Sequence, residues 1–447
     1  MALSFSSCQE NEFGVVDLTP KPGIWQDVNA AYVYNHPCLM YSQEDFDRVK
    51  ASLDNGTAPQ KVKDAFANLQ GARYSQKSHS PQPKAVVKRG VSGDEDYQTC
   101  MQDAAAAYQN AIMWKLTGDN GYADTGVKIL NAWASTCKEV TGNTNKLLLA
   151  GGQGYTFANA GEILRTYNGW AAEDFNKFKT WMKDVWAPVC LDFFNGHYGN
   201  CDGHYWSNWD LVAECAYFAI GVLCEDDAMV NFVVNYWNNG NGNGSINNLV
   251  QGTHIDPLGS GEEIAQNQES GRDQGHAEMS CVVTLHLCQM AATMYKSNPA
   301  VTALDFFSSN DNAVMKMANY VALTNLRDGD DLFNQQGLPL VSAEKIPFNT
   351  YYYCIDCACN EGKPHNHGAV QTTFADDGGR FGVRPGWEIA LNHYSKVAGL
   401  SSGFTYIKKM ADKIRPEGGV GETNGRYGNN SGAFDQLGWN TLMLYTE

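Results

Sequence analysis

The sequence predicts an all-α fold: an (α/α) toroid of helical hairpins, one large domain behind an extended N-terminal arm. Three observations predict it. Apolar residues recur at helical spacing from about residue 100 to the end, while strand alternation is confined to short pieces near 83–91 and 338–355. The links between helical stretches are mostly short, which makes sequence neighbours antiparallel partners. No linker divides the 447 residues, so residues 36–447 read as one toroidal domain and 1–35 as an arm. A helical solenoid is the alternative, but no strict repeat marks the chain.

In order, the predicted helices span 101–116, Ala-rich with Gly118 just beyond it, then 122–140, 155–167 and 171–194. The strongly apolar 205–223 follows, then 226–237 with its acidic start, and 269–295, the longest, with Pro299 past its end. The last are 313–326, 386–398, 404–414 and 434–445. Two long loops, 238–268 and 360–386, are rich in Gly, Asn and Asp and sit where function is expected.

The formal net charge of −17 argues against a nucleic-acid partner, which needs a basic face. It also means that an anionic substrate would have to be held by a few local cations. The 11 Trp and 22 Tyr suit rings that stack on sugars, and equally an ordinary core. Residues 3–12, LSFSSCQENE, resemble the end of a bacterial lipoprotein signal, so export to the periplasm or outer membrane is expected, with a lipid on Cys8 as the one possible membrane anchor. No later run is long enough to span a bilayer. Most of the 13 Cys lie in apolar helical patterns, as Cys215, Cys224, Cys281 and Cys288 do, and read as buried thiols with few disulfides.

Four constellations could carry chemistry. Asn200 to Asp210 opens a helix and places Tyr205, Asn208 and Trp209 on one face, with His204 and Trp206 beside them. An amide, a phenol and flat rings together suit a sugar acid; an aromatic helix start packed into the core would look the same. Gln266 to Met279 runs from a polar, Gly-containing start into a very apolar helix. Arg272 and His276 share a face there, Glu269 lies one turn earlier, and Gln268 precedes it. So many polar groups at the start of a buried helix are costly unless paired or used. His254 stands alone in the loop Thr253 to Pro257, where a surface role is the commoner reading. Cys354, Cys357 and Cys359 with His365 and His367 could hold zinc, although disulfides or free thiols fit that loop at least as well. Beyond these, Tyr353, the stretch 380–394 with Arg384 and Trp387, and Tyr427 are candidate groove residues.

ESGRDQGH at 269–276, with Asn208-Trp209 before it and RPGWE at 384–388 after it, resembles the alginate lyase superfamily of helical toroids, and within it polysaccharide lyase family 38. The resemblance covers most of the chain from about residue 36. It implies a 1,4-linked uronate polymer, alginate or glucuronan, cleaved by β-elimination with no cofactor. Better-known helical alginate lyases carry an Asn-His pair before a Tyr-Trp, and a Tyr seven residues after the Arg. Here Tyr205-Trp206 is kept, but Asp202-Gly203 stands in place of the pair and Met279 in place of the Tyr. Arg272 therefore carries over directly, and Asn208 is the substitute amide.

Elimination needs the C5 carboxylate neutralised, a base for the C5 proton and an acid for the departing O4. Arg272 and Asn208 suit the first task, His254 or His276 the second, and a Tyr, with Tyr205, Tyr353 and Tyr427 as candidates, the third. Two other functions stay in play. A glycoside hydrolase would use two carboxylates from among Asp210, Glu262, Glu263, Glu269 and Asp273. A glycan-binding lipoprotein would share the aromatics without turnover.

Overall fold

The computed structural model describes residues 27–329, 337–354, 368–422 and 433–447. Five helices are buried almost all round: Gln98–Thr117, Lys146–Leu164, Ser207–Cys224, Gln274–Ser297 and the short Trp387–Asn392. A helix that is apolar on every side belongs inside, and each of these packs against the next in chain order. One-sided helices lie against them, among them Asn120–Thr136, Asp227–Asn239 and Thr405–Ile414, and Ser309–Asn325, packed between Gln274–Ser297 and Thr405–Ile414, is itself buried from Ala313 onward apart from Lys316. This alternation of inner and outer helices is the predicted toroid.

Small residues let the inner helices approach closely. A Cβ on Gly151 would lie 2.7 Å from Val212 Cγ2 and 2.8 Å from its carbonyl oxygen, and one on Gly154 would lie 3.2 Å from Ala216 Cβ. Further along the same pair, Arg165 reaches the carbonyl of Leu223. Contacts that advance together on both helices make them parallel. Their N-termini therefore share one rim of the toroid and their C-termini the other.

Several expectations need correction. Two helices precede residue 98, Gln43–Asp54 and Gln60–Gly71, the first closed by a Ser42–Asp45 capping box. The third predicted helix starts earlier, at Lys146, because a Leu- and Gly-rich run that reads poorly by propensity is stabilised by close packing. The stretch 171–194 is two helices, Ala172–Trp181 and Ala187–Phe194, joined by a π turn. The last helix shrinks to Asn440–Leu444. The long loop 238–268 contains an antiparallel hairpin, Val250–Ile255 with Glu263–Asn267, which leads into the ESGRDQGH segment.

From residue 27 to 36 the arm is extended and lies on the outer helix Asp227–Asn239. Side chains of that helix stand in for a neighbouring strand. Asn235 bonds both the N–H and the C=O of Val28, Asn231 does the same for Ala30, and Asp227 accepts the N–H of Tyr32. Asn298 grips Val33 in the same two-handed way. No helix among the described residues is long and apolar enough to cross a membrane. Cys8 lies outside them. Cys215, Cys224, Cys281 and Cys288 are free thiols, whereas Cys201 is disulfide-bonded.

Candidate active site

The site forms where two inner helices begin. Ser207–Cys224 has an extended residue, Trp206, at its N-cap and no capping side chain of its own. Its exposed first N–H groups are met by the incoming 268–269 segment: Gln268 Oε1 accepts the Ser207 N–H at 3.0 Å, and Glu269 Oε1 accepts the Asn208 N–H at 2.8 Å. Gln274–Ser297 is capped by Asp273, whose Oδ1 accepts the His276 N–H at 2.9 Å. Gln274 begins the longest helix because residues 270–273 are spent on turning the chain over this junction.

Glu269 is the hub. It is fully buried, and Oε1 also accepts the Ser207 hydroxyl at 3.0 Å and the Asn208 side-chain amide at 2.8 Å. Its Oε2 takes Arg272 Nη1 at 3.0 Å. One carboxylate thus fixes an amide and a guanidinium side by side. Arg272 lies over the Trp206 ring, 5.1 Å from its centroid, and places Nη2 3.3 Å from His276 Nε2. His276 in turn bonds Asp273 Oδ2 through Nδ1 at 2.7 Å. Burial pushes the Asp273 carboxyl up, but the bonds from the His276 ring and backbone and the nearby charges outweigh it, and the carboxyl is held below its usual range. An ionised Asp273 holds the proton of His276 on Nδ1 and points the Nε2 lone pair toward Arg272. The side chains of Arg272 and His276 are 25% and 40% exposed, so this pair faces out of an otherwise closed network.

A second polar group lies beside them. Arg384 Nη1 reaches Gln436 Oε1 at 3.1 Å and Asp435 Oδ2 at 3.5 Å. Burial raises the Asp435 carboxyl against the lowering charges of Arg384, Arg89 and His276. One turn into the helix, burial pushes the Glu278 carboxyl up to about 7, with Arg384 and Lys413 pulling the other way.

Asn208, Glu269, Arg272, His276 and Trp206 are thus brought together, with Arg384 near. The other candidates stand apart. Tyr205 is buried in an aromatic cluster with Phe193, Tyr198 and Trp209, and none of its described contacts reaches Asn208, Arg272 or His276. His204 packs edge-on against it. His254 lies on the hairpin, 3.4 Å from Gln266 Oε1 and against Tyr320, where burial lowers its pKa. Trp387 is fully buried in the core and lines no groove, because it forms the first turn of the innermost short helix. Gln268 is likewise buried, with its side chain on Ser207 and its carbonyl taking the Tyr351 hydroxyl, so it is framework. Tyr353 falls in the strand Tyr351–Cys354. Tyr427 and the zinc candidates Cys357, Cys359, His365 and His367 lie outside the described residues, as does the side chain of Cys354. Sequence reasoning gave no site role to Ser207 or Tyr351; only the placement of Glu269 and Gln268 beneath a second helix start reveals theirs.

The alginate lyase family model matches residues 52–323, more than half of the chain. The chain belongs to the alginate lyase family. Among solved structures, alginate lyase A1-III from Sphingomonas species A1 superposes with a TM-score of 0.55 at 14% identity, covering 93% of this chain and 98% of that one. A variant of alginate lyase A1-III complexed with tetrasaccharide superposes at 0.52 and 13% identity, covering 92% and 98%. At such identity these likenesses show the shared toroid, and the family membership rests on the sequence match. No curated protein sequence matches the chain. For an alginate lyase, the match is informative in where it stops: residues 52–323 include Asn208, Glu269, Arg272 and His276 but leave out Arg384 and Asp435.

Proposed function

We propose that this chain is a polysaccharide lyase that cleaves alginate, with a preference for mannuronate-rich stretches, by β-elimination. The observation that carries the reading is the Glu269 hub, which presents Arg272 with Asn208 at its side and His276 one turn away. The guanidinium pairs with the C5 carboxylate, so that charge growing on it during proton removal is stabilised. His276, oriented by Asp273, takes the C5 proton on Nε2, and the imidazolium formed is stabilised by the Asp273 carboxylate. In mannuronate the C5 proton and O4 lie on the same face of the ring. One imidazole can therefore hand the same proton to the departing O4. The scheme uses no metal or cofactor. Trp206, which lies against Arg272, supplies the ring on which a neighbouring sugar stacks. The helix N-termini at this rim add local positive potential in a protein of net charge −17. Export is part of the proposal, with a lipid on Cys8; the disulfide at Cys201 supports an oxidising compartment.

The test is to mix the purified chain, with and without chelator, with polymannuronate, polyguluronate and glucuronan, and to follow the ultraviolet absorbance of the new C4–C5 double bond. A rise with polymannuronate that survives chelator is expected. New reducing ends without that absorbance would mean hydrolysis, and binding without either would mean a glycan-binding protein.

A further inference from the structure

We propose that His36, Cys38 and Glu162 form a structural site for one divalent cation of the zinc class, at the rim opposite the candidate active site. Glu162 ends the inner helix Lys146–Leu164, and the extended His36-Pro37-Cys38 segment crosses it. Cys38 Sγ lies 3.5 Å from both His36 Nδ1 and Glu162 Oε1, and the latter two atoms are 2.5 Å apart. A tetrahedral zinc with bonds of about 2.0–2.3 Å separates its ligands by roughly 3.3–3.8 Å. Both sulfur edges already match, and the third must open by about 1 Å. The donor set of imidazole, thiolate and carboxylate is that of zinc rather than of calcium or magnesium.

The surroundings match a metal-bound histidine. His36 Nε2 is 3.0 Å from Glu225 Oε1, the carboxylate partner that fixes the tautomer of a ligating imidazole. Arg165 Nη1 lies 2.9 Å from His36 Nδ1 and 3.0 Å from Glu162 Oε2, so one cation already bridges the imidazole and the carboxylate, and a metal ion would take over its place on Nδ1. Charge closes with the metal present: a thiolate and the carboxylates of Glu162 and Glu225 balance Arg165 and one divalent ion. Cys38 and Glu162 are buried, while His36 is partly open and offers a way in. Bound there, the ion would staple the arm to the inner ring. The Ser207–Cys224 helix, 18 residues long, sets it about 27 Å from Asn208, so its effect is on stability and not on the chemistry.

The full chain, stripped with chelator and dialysed, is titrated with zinc and separately with cobalt as a spectroscopic probe. The expected result is about one equivalent bound, a near-ultraviolet thiolate-to-cobalt band and a Tm raised by several degrees. Cys38→Ser and, as a second variant, His36→Gln should each lose the band and the Tm gain. A band that persists in folded Cys38→Ser would place the metal on other thiols and overturn the site, as would a stripped chain whose Tm zinc does not change.

Discussion

The two rims of the toroid use the same parts in opposite ways. At the N-terminal rim, Glu269 and Arg272 are three residues apart with Nη1 3.0 Å from Oε2, and His276 stands beside the arginine. At the C-terminal rim, Glu162 and Arg165 repeat that spacing and distance, with His36 beside them. The difference lies in what is left open. Arg272 and His276 are 25% and 40% exposed, while Arg165 and His36 are 11% and 14% exposed under the arm. The helix ends differ too: N-termini favour an incoming anion, C-termini favour cations held in place. On the function proposed above, one motif becomes a reaction centre or a clamp according to which end of a helix it occupies and whether another segment covers it.

Exchanging the damage between the rims tests this contrast. Arg272→Ala should lower turnover by roughly a hundred- to a thousandfold, the cost of roughly 3–4 kcal/mol for one preorganised donor, with little change in Tm. His276→Ala should do likewise, measured by the same absorbance assay on folded protein. Arg165→Ala should leave turnover of the folded fraction intact but cost ~3–5 kcal/mol in denaturant unfolding, because it strands the buried Glu162 charge. Should Arg165→Ala instead abolish turnover in folded protein, the division between the rims fails. Glu269→Gln keeps the shape of the hub but turns donors against donors, and turnover should fall roughly ten- to hundredfold. Asn231→Ala, which frees the arm's Ala30, should cost about 1–2 kcal/mol of stability and no turnover.

The last effect concerns pH. Glu278 titrates at about 7 in the folded protein against 4.5 ordinarily, so folding holds its proton more tightly. That stabilisation is complete below about pH 4.5 and is lost as pH rises through 7, up to about 3 kcal/mol in all. Glu278→Gln should flatten the fall of Tm between pH 5 and 8; a profile identical to the parent's would show that Glu278 titrates in its ordinary range.

The sequence is most legible where one segment carries a whole site. ESGRDQGH contains the hub, the cation, the cap and the proposed base, because they lie within eight positions at one helix start. Helices read well where periodicity was strong and poorly at Lys146–Leu164, where glycines that weaken an isolated helix are required by the approach of Val212. The C-terminal rim could not be read, since His36 and Glu162 are brought together only by closure of the ring. Trp387 misled for the opposite reason: aromatic composition cannot tell a sugar platform from core filling, and burial decides.

The ladder that holds the arm has a pitch of its own. Rungs four residues apart on a helix climb about 6 Å, and two residues of extended chain cover about 6.6 Å. Two incommensurate-looking polymers therefore keep step over Asn235, Asn231 and Asp227. The rungs grip main chain, but Asn231 also accepts the Tyr32 hydroxyl and Asp227 the Tyr34 hydroxyl, so the track reads two tyrosines as well. The main-chain rungs alone refuse a shift of one residue, like a rack that admits only whole teeth, and the two hydroxyls hold the register against a shift of two.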